Sequence, residues 1–77
     1  MSGTPILVDA RGHKCPVPSL RLKKAIQAAP EGSTFLLLAT DPMARIDVPY
    51  LVEDLGGTVI SIVTVAGVLR ITVEMPA

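Results

Sequence analysis

The spacing of apolar positions along this chain changes several times, and each change marks an element boundary. A short apolar run, Ile6 to Val8, lies between Pro5 and the polar stretch Asp9 to Lys14 and reads as a strand feeding a loop. Residues 16–29 then predict a helix. Pro16 suits a first helical position, and at about 100° per residue Pro18, Leu22, Ala25, Ile26 and Ala29 share one face. Pro30 and Gly32 stop it. From Ser33 to Thr40 the chain is apolar on both alternations, the pattern of a central strand covered on both sides.

Asp41 and Pro42 look like the cap and first turn of a second helix reaching Leu55, with Gly56 and Gly57 ending it. Pro49 interrupts that pattern by removing a helical hydrogen bond. A loop over Met43 to Val48, with the regular helix confined to Pro49–Leu55, is therefore an equal expectation. Thr58 to Val65 and Val68 to Glu74 flank Ala66-Gly67 and predict an antiparallel hairpin. In its second strand Leu69, Ile71 and Val73 alternate with Arg70, Thr72 and Glu74, so one face is wet. The order is βαβαββ. Right-handed crossovers put both helices on one side, giving a two-layer α/β sandwich with a four-stranded mixed sheet and two helices on one face. The other sheet face is left uncovered, either as an interaction surface or as a face diluted by Thr and Ser.

Composition narrows the function classes. The chain has 77 residues, expected to form one domain over residues 1–77 and too few for a second, substrate-binding lobe. Apolar residues make up 49% with one Phe, one Tyr and no Trp, so the core is aliphatic and surfaces for stacking bases are scarce. The formal net charge is zero, which disfavours nucleic acid and membrane surfaces as direct partners. The uncharged stretch Leu55 to Leu69 is broken by glycines and falls short of the roughly 20 residues of a membrane span. With one Cys and one His the chain holds too few ligands for a zinc site and no internal disulfide. The N-terminus shows no signal-peptide pattern, and a reduced cytoplasm is the expected location. No metal or cofactor is expected.

Cys15 is the strongest nucleophile in the sequence. Preceding Pro16, it falls where the N-cap of the first helix is expected, so free N–H groups and the helix dipole would point at its sulfur. Residues 11–24 also hold Arg11, Lys14, Arg21, Lys23 and Lys24 and no acid. Dipole and cations together predict a thiol pKa lowered by roughly one to two units from about 8.5. Pro16 and Pro18 stiffen the terminus. The opposing reading is that Cys15 is a small apolar cap residue, since free Cys is usually buried.

A Cys-His catalytic pair is not supported, because His13 is only two residues away and no second His or Asn orients it; an exposed loop histidine is expected. A CxxC redox motif fails because position 18 is proline. Val17 and Leu20 fall with Lys24 and Gln27, away from the Leu22 face. With Arg21, Lys23 and Lys24 they form either a docking patch for a partner carrying acidic groups, or a solvated face with Leu20 tucked against a loop. Asp41 either starts a turn or orients the Cys15 loop.

The run Asp9-Ala10-Arg11-Gly12-His13-Lys14-Cys15-Pro16-Val17-Pro18 resembles the TusA-like (SirA-like) sulfur-carrier family, whose signature is Cys-Pro-x-Pro at the start of the first helix. Asp41-Pro42 and Asp47-Val48-Pro49 resemble its second motif, an Asp-Pro followed by Asp-Ile-Pro. The resemblance spans essentially the whole chain. It implies a four-stranded sheet with two helices on one face and a cysteine, here Cys15, that accepts sulfane sulfur as a persulfide. Gly12, Pro16, Pro18, Asp41 and Asp47 match its supporting motif positions. It further implies a cysteine desulfurase or rhodanese as sulfur donor and a downstream acceptor protein, in tRNA thiolation, molybdenum-cofactor maturation or sulfur oxidation. Where some members carry Arg immediately before the second acid, this chain has Ile46, with Arg45 one place earlier; Tyr50 stands where an aromatic often follows the second-motif proline.

Persulfide carriage needs an accessible, ionisable sulfur and no base, pocket or metal of its own. The competing class is a noncovalent regulatory or interaction module in which Cys15 only caps a helix. A third, RNA binding through the basic helix, is opposed by the neutral charge and scarce aromatics.

Overall fold

A computed structural model describes residues 4–77. It contains strand β1 (Ile6–Ala10), helix α1 (Val17–Ala28), strand β2 (Thr34–Ala39), helix α2 (Ala44–Asp54), and strands β3 (Thr58–Val65) and β4 (Val68–Glu74). The four strands form one sheet in the order β1-β2-β4-β3. β1 and β2 are parallel, whereas β4 is antiparallel to both of its neighbours. This is the expected mixed sheet with two helices. The hairpin turn falls at Ala66-Gly67, both at positive φ (51° and 78°), as a two-residue connection requires.

Alternation decides which side of each strand meets the helices. Val8 and Ala10 of β1, Phe35, Leu37 and Ala39 of β2, and Leu69, Ile71 and Val73 of β4 are buried in one cluster. α1 adds Leu22, while α2 adds Ala44, Val48 and Val52, spaced four apart. Ala25, Ile26 and Ala29 pack against the same cluster from the predicted face of α1. The opposite sheet face carries no helix. There Leu36 and Leu38 are half-buried, and Leu7, Arg70 and Val63 are exposed.

Two helix boundaries differ from expectation. α1 begins at Val17 with Pro16 as its N-cap, so Pro18, not Pro16, lies within the first turn, and Cys15 sits one residue before the cap. α2 starts at Ala44 and runs through Pro49, so Met43–Val48 is not a loop. The lost hydrogen bond at Pro49 costs about 3 kcal/mol. Burial of Ala44, Val48 and Val52 against the sheet offsets it, since a fully buried Val side chain contributes about 1.5–3 kcal/mol.

Candidate functional site

Because β1 and β2 are parallel and each feeds a helix, α1 and α2 start at the same end of the sheet. The two connections meet there. The Gly12 amide donates to Thr40 Oγ1 at 2.9 Å, and the Cys15 amide donates to Asp41 Oδ2 at 2.8 Å. Asp41 uses its other oxygen for the Met43 amide at 3.0 Å, so one carboxylate caps the turn into α2 and fixes the Cys15 loop. Both sequence readings of Asp41 hold together. Gly12 has φ +81°, a left-handed conformation that side-chain-bearing residues avoid, and it turns the chain toward Thr40. Thr40 was not singled out by sequence reasoning; a hydroxyl at the end of the central strand, beside Asp-Pro, was the available signal.

Cys15 is partly buried and packs against the core cluster. Its thiol is pushed up to about 11, first by burial, then by the Asp47 carboxylate, to which the protonated thiol is a donor, and then by the charges of Asp47 and Asp41. The expectation of a lowered pKa is therefore overturned, for three reasons visible in the structure. Pro18 has no N–H to offer and the Val17 amide is taken by the Lys14 carbonyl at 3.0 Å, so the α1 terminus is poor in donors. The nearby cations are engaged elsewhere: Arg11 forks onto Asp9 at 2.8 and 2.9 Å, and Arg21 donates to the Asp9 carbonyl at 2.9 Å. Two carboxylates distant in sequence, Asp41 and Asp47, occupy the space by the sulfur instead. Asp41 itself is held below the usual carboxylate range by the Cys15 and Met43 amides, with Lys14 adding in the same direction.

The site opens onto a shallow depression of about 350 Å³ lined by Gly12, His13, Lys14, Thr40, Asp41 and Pro42. His13 is half-buried there, not exposed as expected. A larger hollow of about 870 Å³ lies along α2 between Tyr50, Leu51, Glu53 and Asp54, and its lining holds no cysteine or histidine. Among the described residues no cluster of three metal-ligating side chains exists. No helix among them is long and apolar enough to cross a membrane.

Around the sulfur the helices show apolar groups to solvent. Leu20 on α1 is 58% exposed and is not tucked against a loop, while Val17 beside it is half-buried. Arg21, Lys23 and Lys24 are exposed. On α2 a second stripe runs through Met43, Ile46 and Tyr50, exposed by 48%, 56% and 78%. Their spacing of three and four residues puts them on one helix face. That spacing was legible in the sequence and was missed.

Residues 6–75 match the family model described as Sulfurtransferase TusA. The chain belongs to the TusA family. A relative in Archaeoglobus fulgidus, named as a candidate sulfur carrier protein, is 38% identical over 69 residues, which cover 88% of this chain and 90% of that protein. The crystal structure of a SirA-like protein from Desulfitobacterium hafniense superposes with a TM-score of 0.81 at 26% identity, covering 94% of this chain and 99% of that one. The TusA-family membership makes this chain a sulfur carrier. In this TusA-family chain the fold brings Cys15, Gly12, Pro16, Asp41 and Asp47 to one end of the sheet, with Pro18 buried beneath them in the first turn of α1.

Proposed function

We propose that this chain acts as one carrier domain that accepts sulfane sulfur as a persulfide on Cys15 and relays it to an acceptor protein. The observation that carries this reading is the anchoring of the Cys15 backbone by Asp41, which holds the partly exposed thiol in place at the start of α1. In the loading step a Cys15 thiolate attacks the outer sulfur of the donor's persulfide. The new S–S bond forms on Cys15 as the donor's own S–S bond breaks, and the donor cysteine departs as thiolate and takes up a proton. No net oxidation occurs. In unloading, an acceptor nucleophile takes the outer sulfur and Cys15 leaves as thiolate.

A cysteine desulfurase or rhodanese supplies the sulfur in this reading, in the cytoplasm, and the acceptor belongs to tRNA thiolation, molybdenum-cofactor maturation or sulfur oxidation. The isolated thiol is stored neutral, so a docking partner must favour its ionisation, by cations placed over Asp41 and Asp47 or by a base. Val17, Leu20, Met43, Ile46 and Tyr50 offer the apolar contact and Arg21, Lys23 and Lys24 the basic rim.

The raised thiol pKa favours a second reading, a noncovalent module in which Cys15 is a packing residue at the start of α1. Weighing the protein after incubation with a cysteine desulfurase and cysteine separates the two. A gain of one sulfur mass that Cys15→Ser abolishes supports the carrier. No adduct, under conditions that load an established carrier, leaves the noncovalent module.

A further inference from the structure

We propose that the free edge of β3 pairs with the β3 edge of a second copy of this chain, joining two four-stranded sheets into one of eight strands. The sheet has two edges, β1 and β3, and they are treated differently. β1 is short, five residues, carries Asp9 within it, and is bounded by Pro5 and Arg11. Shortness, charge and proline are the devices by which folded proteins blunt an edge against pairing. β3 is eight residues long, Thr58 to Val65, with no charge and no proline. Its protective features are a register slip against β4 between Val59 and Ser61, and the Arg45 guanidinium of α2, which donates to Thr64 Oγ1 at 3.0 Å on the helix side. That slip leaves Ser61 to Val65 as regular strand, and Val63 and Val65 there are each 50% exposed.

Every second residue of an antiparallel strand turns its N–H and C=O away from its existing partner, so the β3 edge presents a ready ladder. What completes such a ladder is another extended strand, and the chemistry of this one selects an uncharged, β-branched sequence like itself. Self-pairing about a two-fold axis perpendicular to the sheet keeps the helices of both copies on one side. Centred on Val63, it sets Val63 against its own counterpart, Ile62 against Thr64 and Ser61 against Val65, with no like charges opposed. Arg70 neighbours Val63 on β4, but the two copies of Arg70 then stand three strand spacings apart, about 14 Å. That exceeds the screening length of about 8 Å at physiological salt. Cys15 follows β1 at the opposite edge, so both sulfur sites stay open.

At most eight residues a side pair in this way, against about 20–30 in a standard interface, so association is weak and reversible. The test is sedimentation equilibrium of the full chain from about 10 µM to about 1 mM. The average mass is expected to climb from 8.1 kDa toward twice that value. Val63→Lys, placing a charge on the two-fold axis, is expected to hold the mass of a single chain throughout, as is Val63→Glu. An equimolar mixture of the two is expected to associate again. Val63 lies on the uncovered sheet face, so these variants fold, and Val65→Lys gives an independent copy of the readout. A wild-type mass fixed at one chain over the whole range overturns the proposal, as does a Val63→Lys variant that associates like wild type.

Discussion

Asp47→Asn removes the carboxylate facing the Cys15 thiol while preserving its size. In the native protein the thiol is raised from an ordinary value of 9.0 to about 11, which leaves about one molecule in ten thousand ionised at pH 7. Burial is the largest cause and persists in the variant; the contributions of Asp47 do not. Its loss is expected to bring the thiol down by about one unit, toward what burial and Asp41 alone impose. At about pH 8 that shift makes alkylation by iodoacetamide faster by up to about tenfold. Ultraviolet absorbance of the thiolate against pH gives the midpoint directly. The unfolding curve supplies a second readout. Because the folded thiol holds its proton more tightly than the unfolded one, its contribution to stability is present below the ordinary value of 9.0 and is lost as pH rises through about 11. Wild type should lose stability across that alkaline window more steeply than Cys15→Ser, and Asp47→Asn should lose less. A wild-type midpoint at or below the ordinary thiol value, or an Asp47→Asn midpoint unchanged from wild type, refutes the reasoning.

Asp41→Ala removes the acceptor for two amides, so hydrogen exchange at Cys15 and Met43 should accelerate, with Asp41→Asn closer to wild type. Acid should loosen the same loop: Asp41 is held below its ordinary range, so its contribution is present at neutral pH and is lost as pH falls through its folded value, visible as rising Cys15 amide exchange. Leu22→Ala empties the centre of the helix–sheet contact and should cost about 2–5 kcal/mol by urea denaturation, a large share of what a domain of this size has. Ile46→Asp should leave the melting temperature within about 2 °C of wild type while slowing sulfur loading by a donor enzyme at least about tenfold; equal loading rates would remove α2 from the docking surface.

Local signals carried most of the fold. Ala66-Gly67 located the hairpin because its turn geometry is set by two residues, and the Leu22 face of α1 followed from spacing alone. Pro49 misled because a backbone rule was weighed without the three buried side chains of α2 that offset it. At the site, Cys15 and both motif acids were visible as residues, but their electrostatic relation was not. Counting the cations adjacent in sequence gave the wrong sign for the thiol. Arg11 and Arg21 turn back onto Asp9, and the parallel pairing of β1 with β2 carries Asp41 to within hydrogen-bond distance of a residue 26 positions earlier. Pairing of strands distant in sequence leaves no local trace in spacing or composition.

A high thiol pKa also suits the carriage of sulfur better than the low one expected from the sequence. Raising the pKa by two units lowers the thiolate fraction at neutral pH about a hundredfold. It also raises the nucleophilicity of each thiolate, by about six- to tenfold for a Brønsted slope of 0.4–0.5. The free carrier therefore reacts with stray disulfides about 10 to 16 times more slowly than an ordinary thiol would. A partner that restores ionisation at the docked site recovers the lost thiolate, and gives up the gain in nucleophilicity to the extent that it lowers the thiol pKa. The same pKa would act on the proposed persulfide form, because attack on the outer sulfur must expel Cys15, and a thiolate of high pKa leaves slowly. In the proposed carrier cycle, burial and the two carboxylates beside Cys15 would thus slow both accidental loading and accidental loss, and each step would depend on what a partner brings to Asp41 and Asp47.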